Sequence, residues 1–178
     1  MDHIQTHQIP VRNFPEHRQE ILDILIQIKK NINPDLVLLP NSKDVHQDHQ
    51  VIHNEGVRAF KNICILGYEL PWNSFQFSND FYVKLDPQHL EAKWNAIKEY
   101  KSQEFRKYDS KELFDGLAQV RGCQINADFA EALMEFGAMV CKTQKPLCSI
   151  CNLKKNCKFF KSEISFYKKK KKFLKERK

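Results

Sequence analysis

Glycine is scarce in this chain, with 5 residues in 178, which argues against an all-β design rich in tight turns. No apolar run approaches the roughly 18 residues that span a bilayer. The first ten residues, MDHIQTHQIP, hold no apolar stretch, so no signal peptide is expected there. The expected location is therefore cytoplasmic, with no membrane partner. In that compartment thiols stay reduced, and the six cysteines are read as metal ligands or buried thiols before disulfides. The chain does not lack apolar material, because 42% of it is hydrophobic. That is enough for a core in one ordinary domain, or in one domain with a small appendage. It also does not lack charge: the net charge is +7, which favours polyanion partners. Much of the excess sits in the lysine-rich tail Lys168–Lys178.

Read for periodicity, Glu16 to Ile32 is an amphipathic helix. Ile21, Ile24, Leu25 and Ile28 recur at helical spacing and Pro15 suits the first turn. Asn33-Pro34 ends it. Asp35 to Leu39 is a short apolar run, a buried strand. A polar loop over Pro40–Asp48 leads into a helix over His49–Asn62, and Ile63–Leu66 is the next strand. This order implies a parallel α/β sheet. Phe81–Leu85 is a further strand, followed by a helix that Asp86 caps and Pro87 opens; Leu90, Trp94, Ile97 and Tyr100 share its face. Ser110–Val120 and Asn126–Val140 are read as helices. Cys64 and Cys123 are read as ordinary thiols, and Trp72 and Trp94 as packing residues.

Two motifs carry chemistry. Cys141, Cys148, Cys151 and Cys157 lie within seventeen residues at the spacing C-x6-C-x2-C-x5-C. Soft thiolates at this density suit an iron–sulfur cluster or a tetrahedral zinc. The second motif is Asp44-Val45-His46-Gln47-Asp48-His49. It sits on a loop after a parallel strand, where α/β folds place ligands. A neutral imidazole binds zinc, and a neighbouring carboxylate fixes its tautomer.

The segment ALMEFGAMVCKTQKPLCSICNLKKNCKFFKS, Ala132–Ser162, resembles the cluster loop of endonuclease III-type DNA glycosylases, the adenine glycosylases especially. The resemblance implies a 4Fe–4S cluster on the four cysteines, and it implies that Lys142 and Lys145 meet the DNA backbone. Such contacts give affinity without reading sequence. The helix–hairpin–helix of those enzymes is not found in this chain.

The runs PDLVLLPNSKDVHQDHQVIHNEGVRAF, ILGYELPW, YVKLDPQHLEAKWNAIKEYKSQ and LAQVRGCQINADFAEA resemble the PIG-L/LmbE family of zinc-dependent N-deacetylases over about Val11–Ala132. The resemblance implies His49 as a zinc ligand, His46 as the stabiliser of the tetrahedral oxyanion, and Asp48 as the carboxylate that orients a histidine. It implies an N-acetylated amino-sugar substrate, hydrolysed at its amide by zinc-bound water. The family's A-H-P-D-D-E motif is absent. It supplies two zinc ligands and the general base, so the chain is expected to be inactive alone. Arg121 is read equally as a substrate-side residue or as a salt-bridge partner.

The expected architecture is an incomplete Rossmann-like, three-layer α/β domain with parallel strands over 1–127. Helix and cysteine-rich iron–sulfur loop follow over 128–162, and a lysine-rich tail over 163–178. The expected function is the C-terminal portion of a metal-dependent N-acetyl-sugar deacetylase fused to a cluster loop, with Zn2+ and a 4Fe–4S cluster as cofactors. The alternative is a glycosylase-derived module that binds DNA in base-excision repair. Both resemblances meet at Ala127–Ala132, which points to a chimera joined there.

Overall fold

The computed structural model describes residues 4–134. The four cysteines of the cluster motif, Lys142, Lys145 and the lysine-rich tail lie outside the described residues.

A 3-10 turn over Phe14–His17, with Pro15 near its start, leads into helix α1, Arg18–Ile32. Ile21 and Leu22 are its buried positions. The helix stops at Asn33, which takes the left-handed conformation (φ 48°) and donates its N–H to the Lys29 carbonyl at 2.8 Å. This is the C-terminal capping geometry that asparagine tolerates and most residues do not. Strand β1, Leu36–Pro40, follows, then helix α2, Gln47–Ala59, and strand β2, Cys64–Tyr68. Leu22, Ala59, Phe60 and Ile63 form a core cluster, with Val37 and Ile65 packed on it. The sheet thereby buries one face under α1 and α2.

Strand β3, Phe81–Leu85, runs into helix α3, Pro87–Ile97, at the expected Asp86 cap. Helix α4, Lys111–Cys123, opens with Ser110 Oγ accepting the Leu113 N–H. Strand β4, Phe129–Met134, is the last described element. The four strands lie in the order β1-β2-β4-β3. β1 and β2 are parallel, with Leu36 opposite Cys64. β4 runs antiparallel to both of its neighbours, pairing Gly67 with Met134 and Phe81 with Leu133. The α/β class and the parallel β1–β2 pair are as expected from the sequence, and the sheet as a whole is mixed.

The helix read over Asn126–Val140 is corrected at 129–134. Alanine, leucine, methionine and glutamate are good helix formers, but propensity is a weak prior that tertiary packing overrides. Ala130 and Ala132 are fully buried between β2 and β3. Between them Glu131 turns its carboxylate to Lys93 Nζ at 2.9 and 3.0 Å. Period-two burial is the signature of a strand. The turn before it is tight: Asn126 has φ 56°, and the Ala127 N–H returns to the Gly122 carbonyl at 3.0 Å. A Cβ at Gly122 would stand 2.6 Å from the Ala127 carbonyl oxygen, so the close approach requires glycine. The stretch shared by the two family resemblances is thus part of the sheet.

Glu55 on α2 is fully buried and joins α2 to α1. Its Oε1 accepts from Arg18 Nε at 2.8 Å, and Oε2 meets the Arg58 guanidinium. Burial pushes the Glu55 carboxyl up, but the bonds and charges of Arg18 and Arg58 outweigh it and hold the carboxyl below its ordinary 4.5. A folded-state value below the unfolded one stabilises the fold above about pH 4.5, and the contribution fades as pH falls through the folded value. Both arginines keep 55% side-chain exposure and regain water when unpaired. Glu55→Ala is therefore expected to cost about 1.5–3 kcal/mol at pH 7. Urea unfolding at pH 7 and pH 3.5 checks this, because the gap between wild type and variant should shrink at the lower pH.

Candidate functional site

β1 ends at Pro40, and the loop that follows it carries the site. Asp44 is its hub. The side chain is 1% exposed. Oδ1 accepts the backbone N–H of His46 at 2.8 Å, and Oδ2 lies 2.7 Å from His49 Nδ1. The Asp44 carbonyl takes Gln50 Nε2 at 3.1 Å. His46 is the N-cap of α2, and its Nδ1 accepts the Asp48 N–H at 3.2 Å. The rings of His46 and His49 stack at 4.5 Å with a 28° tilt.

In their neutral forms the two imidazoles are held by these contacts in opposite tautomers. His49 gives its Nδ1 proton to a buried carboxylate, so its Nε2 carries the lone pair. His46 receives a backbone proton at Nδ1, so its Nε2 carries the N–H. Two stacked rings therefore present one acceptor and one donor side by side. One turn along α2, His53 Nδ1 lies 2.8 Å from the Pro40 carbonyl.

Asp48 is 4% exposed, and its Oδ2 accepts the Arg12 N–H at 2.6 Å while Gln47 Nε2 holds the Arg12 carbonyl at 2.8 Å. It fastens the segment before α1 to the start of α2. The Asp48 group that meets a histidine is its backbone N–H, on His46; the carboxylate on His49 is that of Asp44. Asp44 was not singled out as a site residue in the sequence, although it stands two positions before His46 in the same polar loop.

The site opens into a cleft of about 610 Å³. His49 lines it together with Tyr68, Trp72, Tyr100, Tyr108 and Phe114. Burial, and then the Asp44 charge, push the Tyr68 phenol above its ordinary 10.0, so it is a neutral hydroxyl at physiological pH. Arg121 is an ion-pair residue: it grips Glu69 with two bonds of 3.0 and 2.5 Å, both side chains largely buried.

The α/β fold is shared with solved structures. The zinc-inhibited form of teicoplanin deacetylase Orf2 superposes with a TM-score of 0.55 at 19% identity, over 74% of this chain and 58% of that one. The chain shares the fold of that structure. A triple mutant of the teicoplanin-pathway deacetylase gives 0.51 at 20% identity, covering 67% and 58%. The conserved protein TT1542 from Thermus thermophilus gives 0.53 at 20% identity, covering 68% and 58%. The chain thus spans 58% of the length of each of these structures. No family model matches the sequence, and no curated protein matches it.

Zinc is the metal expected from the His motif. A catalytic zinc takes about three protein ligands and an open position. Among the described residues no group of three or more His, Cys, Asp or Glu side chains converges on one point. The donors around this loop, among the described residues, do not complete such a site. Among those residues, too, no helix is long and apolar enough to cross a membrane.

Proposed function

We propose that the chain is the C-terminal portion of a metal-dependent N-deacetylase acting on N-acetylated amino sugars, and that it is inactive alone. The observation that carries this reading is the Asp44–His49 pair, 2.7 Å apart, at the carboxyl end of a parallel strand and facing a cleft. A carboxylate behind a metal-binding histidine is the usual way to fix its tautomer and aim its lone pair. His49 would supply one zinc ligand from Nε2. His46, with its proton on Nε2, is the donor suited to an amide oxygen that gains negative charge. Asp48 would act on His46 through its backbone N–H and hold the α2 terminus in place.

A titration of the full chain with Zn2+, followed by histidine NMR, tests the assignment. The His49 resonances are expected to move first, and His49→Ala is expected to abolish that response. A titration that shifts other imidazoles and leaves His49 unmoved would overturn it. Acetate release from N-acetylglucosamine derivatives is expected to stay at background, because one ligand does not make a catalytic zinc; release above background would overturn the inactivity.

The cysteine motif is a separate proposal resting on spacing alone. Cys141, Cys148, Cys151 and Cys157 would bind a 4Fe–4S cluster. Anaerobically purified chain is then expected to carry about four iron and four sulfide per molecule, with visible charge-transfer absorption. Zinc at about one per chain without iron would sink the cluster.

A further inference from the structure

The cleft beside His49 is much larger than an acetyl group requires, and its wall is built rather than incidental. The loop that bears Trp72 is tied to the histidine loop by three bonds. Asn41, fully buried, donates from Nδ2 to the Tyr68 carbonyl at 3.1 Å and to Ser74 Oγ at 2.8 Å. The Val45 N–H meets the Asn73 carbonyl at 2.9 Å. Trp72 then stacks on Tyr108 at 4.2 Å and meets Phe114 edge-on at 6.0 Å. Leu70, Ala96, Ile97 and Leu117 complete the lining. Of the charged groups along the wall, Lys93 is paired with Glu131 and Glu69 with Arg121, while Asp109 also lines it. Most of the remaining lining is aromatic or aliphatic surface, which an alkyl chain can cover without directional partners.

We propose that the cleft is an acyl-chain subsite, so that among N-acylated amino sugars those carrying a medium-length acyl group are preferred to the acetyl compound. This rests on the amide-hydrolase reading of the histidine pair and names its substrate class. The acyl carbonyl would sit by the histidine pair, of which His49 lines the cleft, and the chain would run past Tyr68 and Trp72 toward Tyr100, which is 65% exposed. Each added methylene that leaves water strengthens binding several-fold.

Binding, measured on the full chain, tests this without requiring turnover. The chain has two tryptophans, so in a Trp94→Phe background the emission reports on Trp72. N-octanoyl-glucosamine, below its micelle concentration, is expected to change that emission. It should bind on the order of tenfold or more tighter than N-acetylglucosamine, well inside what six methylenes supply. Tyr100→Ala, at an exposed position that does not endanger folding, is expected to cut that preference to about threefold or less. Isothermal titration of Trp72→Ala, with circular dichroism confirming the fold, is expected to show the same. Equal affinity for the two amides, or no response from Trp72, would overturn the subsite. Octyl glucoside binding as tightly as the octanoyl amide would overturn its link to amides. The zinc titration of His49 reads the histidine assignment separately: tight octanoyl binding with an unresponsive His49 keeps the subsite and removes the hydrolase reading, and the reverse result removes the subsite alone.

Discussion

Asp44→Asn is expected to move the proton of His49 from Nδ1 to Nε2. The wild-type carboxylate accepts twice, from the His46 N–H at 2.8 Å and from His49 Nδ1 at 2.7 Å. An amide has one acceptor oxygen. If that oxygen stays on the His46 N–H, the NH2 group faces His49 and demands a lone pair at Nδ1. The imidazole then protonates at Nε2, and the acceptor that faced the cleft becomes a donor. The same tautomer error in a catalytic triad lowers kcat by about 10⁴. Nitrogen chemical shifts of the His49 ring at neutral pH read the change directly. Retention of the Nδ1–H tautomer in the variant would show that Asp44 does not set it. If the Nδ1–H tautomer were kept instead, two donors would face each other in a buried pair at a cost of about 1–3 kcal/mol, which urea unfolding measures independently.

Asn41→Ala is expected to cost about 2–4 kcal/mol, a large value for an uncharged polar residue. The side chain is fully buried and makes three bonds: two from Nδ2, and one in which Oδ1 accepts the Lys43 N–H at 2.9 Å. Alanine removes all three and strands Ser74 Oγ and the Tyr68 carbonyl. Asn41→Asp keeps the acceptor for Lys43 but loses both donations and buries a charge, so it should be the worse of the two. Thermal unfolding ranks them. Because Asn41 joins the histidine loop to the Trp72 loop, the surviving fold should also show greater Trp72 mobility in time-resolved anisotropy. An Asn41→Ala variant within 0.5 kcal/mol of wild type, a margin typical of surface substitutions, would contradict the buried network.

Where local pattern and packing agree, the fold is legible in the residues. The apolar run at Leu36–Pro40, the Asp86-Pro87 helix start and the strand Phe81–Leu85 all appear in the structure within a residue or two of the expected bounds. Pattern fails at Phe129–Met134, because its helix-forming residues are placed in a strand by partners distant in sequence. The candidate site divides the same way. The loop and its histidines stand out by type and spacing. Asn41 and Trp72 do not, because their partners, Tyr68 and Ser74 for one and Tyr108 and Phe114 for the other, are distant in sequence; Asp44 lies within the motif, but the sequence does not say which of its carboxylates reaches His49.

β4 has a consequence for the order of assembly. It is the last described element in the sequence yet lies inside the sheet, between β2 and β3. Neither neighbour pairs with the other, so a nascent chain that has not yet released Phe129–Met134 holds β1–β2 and β3 as separate pieces. Closure then joins Gly67 to Met134 across more than a third of the chain. The entropy of such a long loop grows only slowly with its length, but contacts this distant slow the search. Completion of the sheet is therefore expected to come late in folding, and it fixes the end of β2, where Tyr68 lines the cleft.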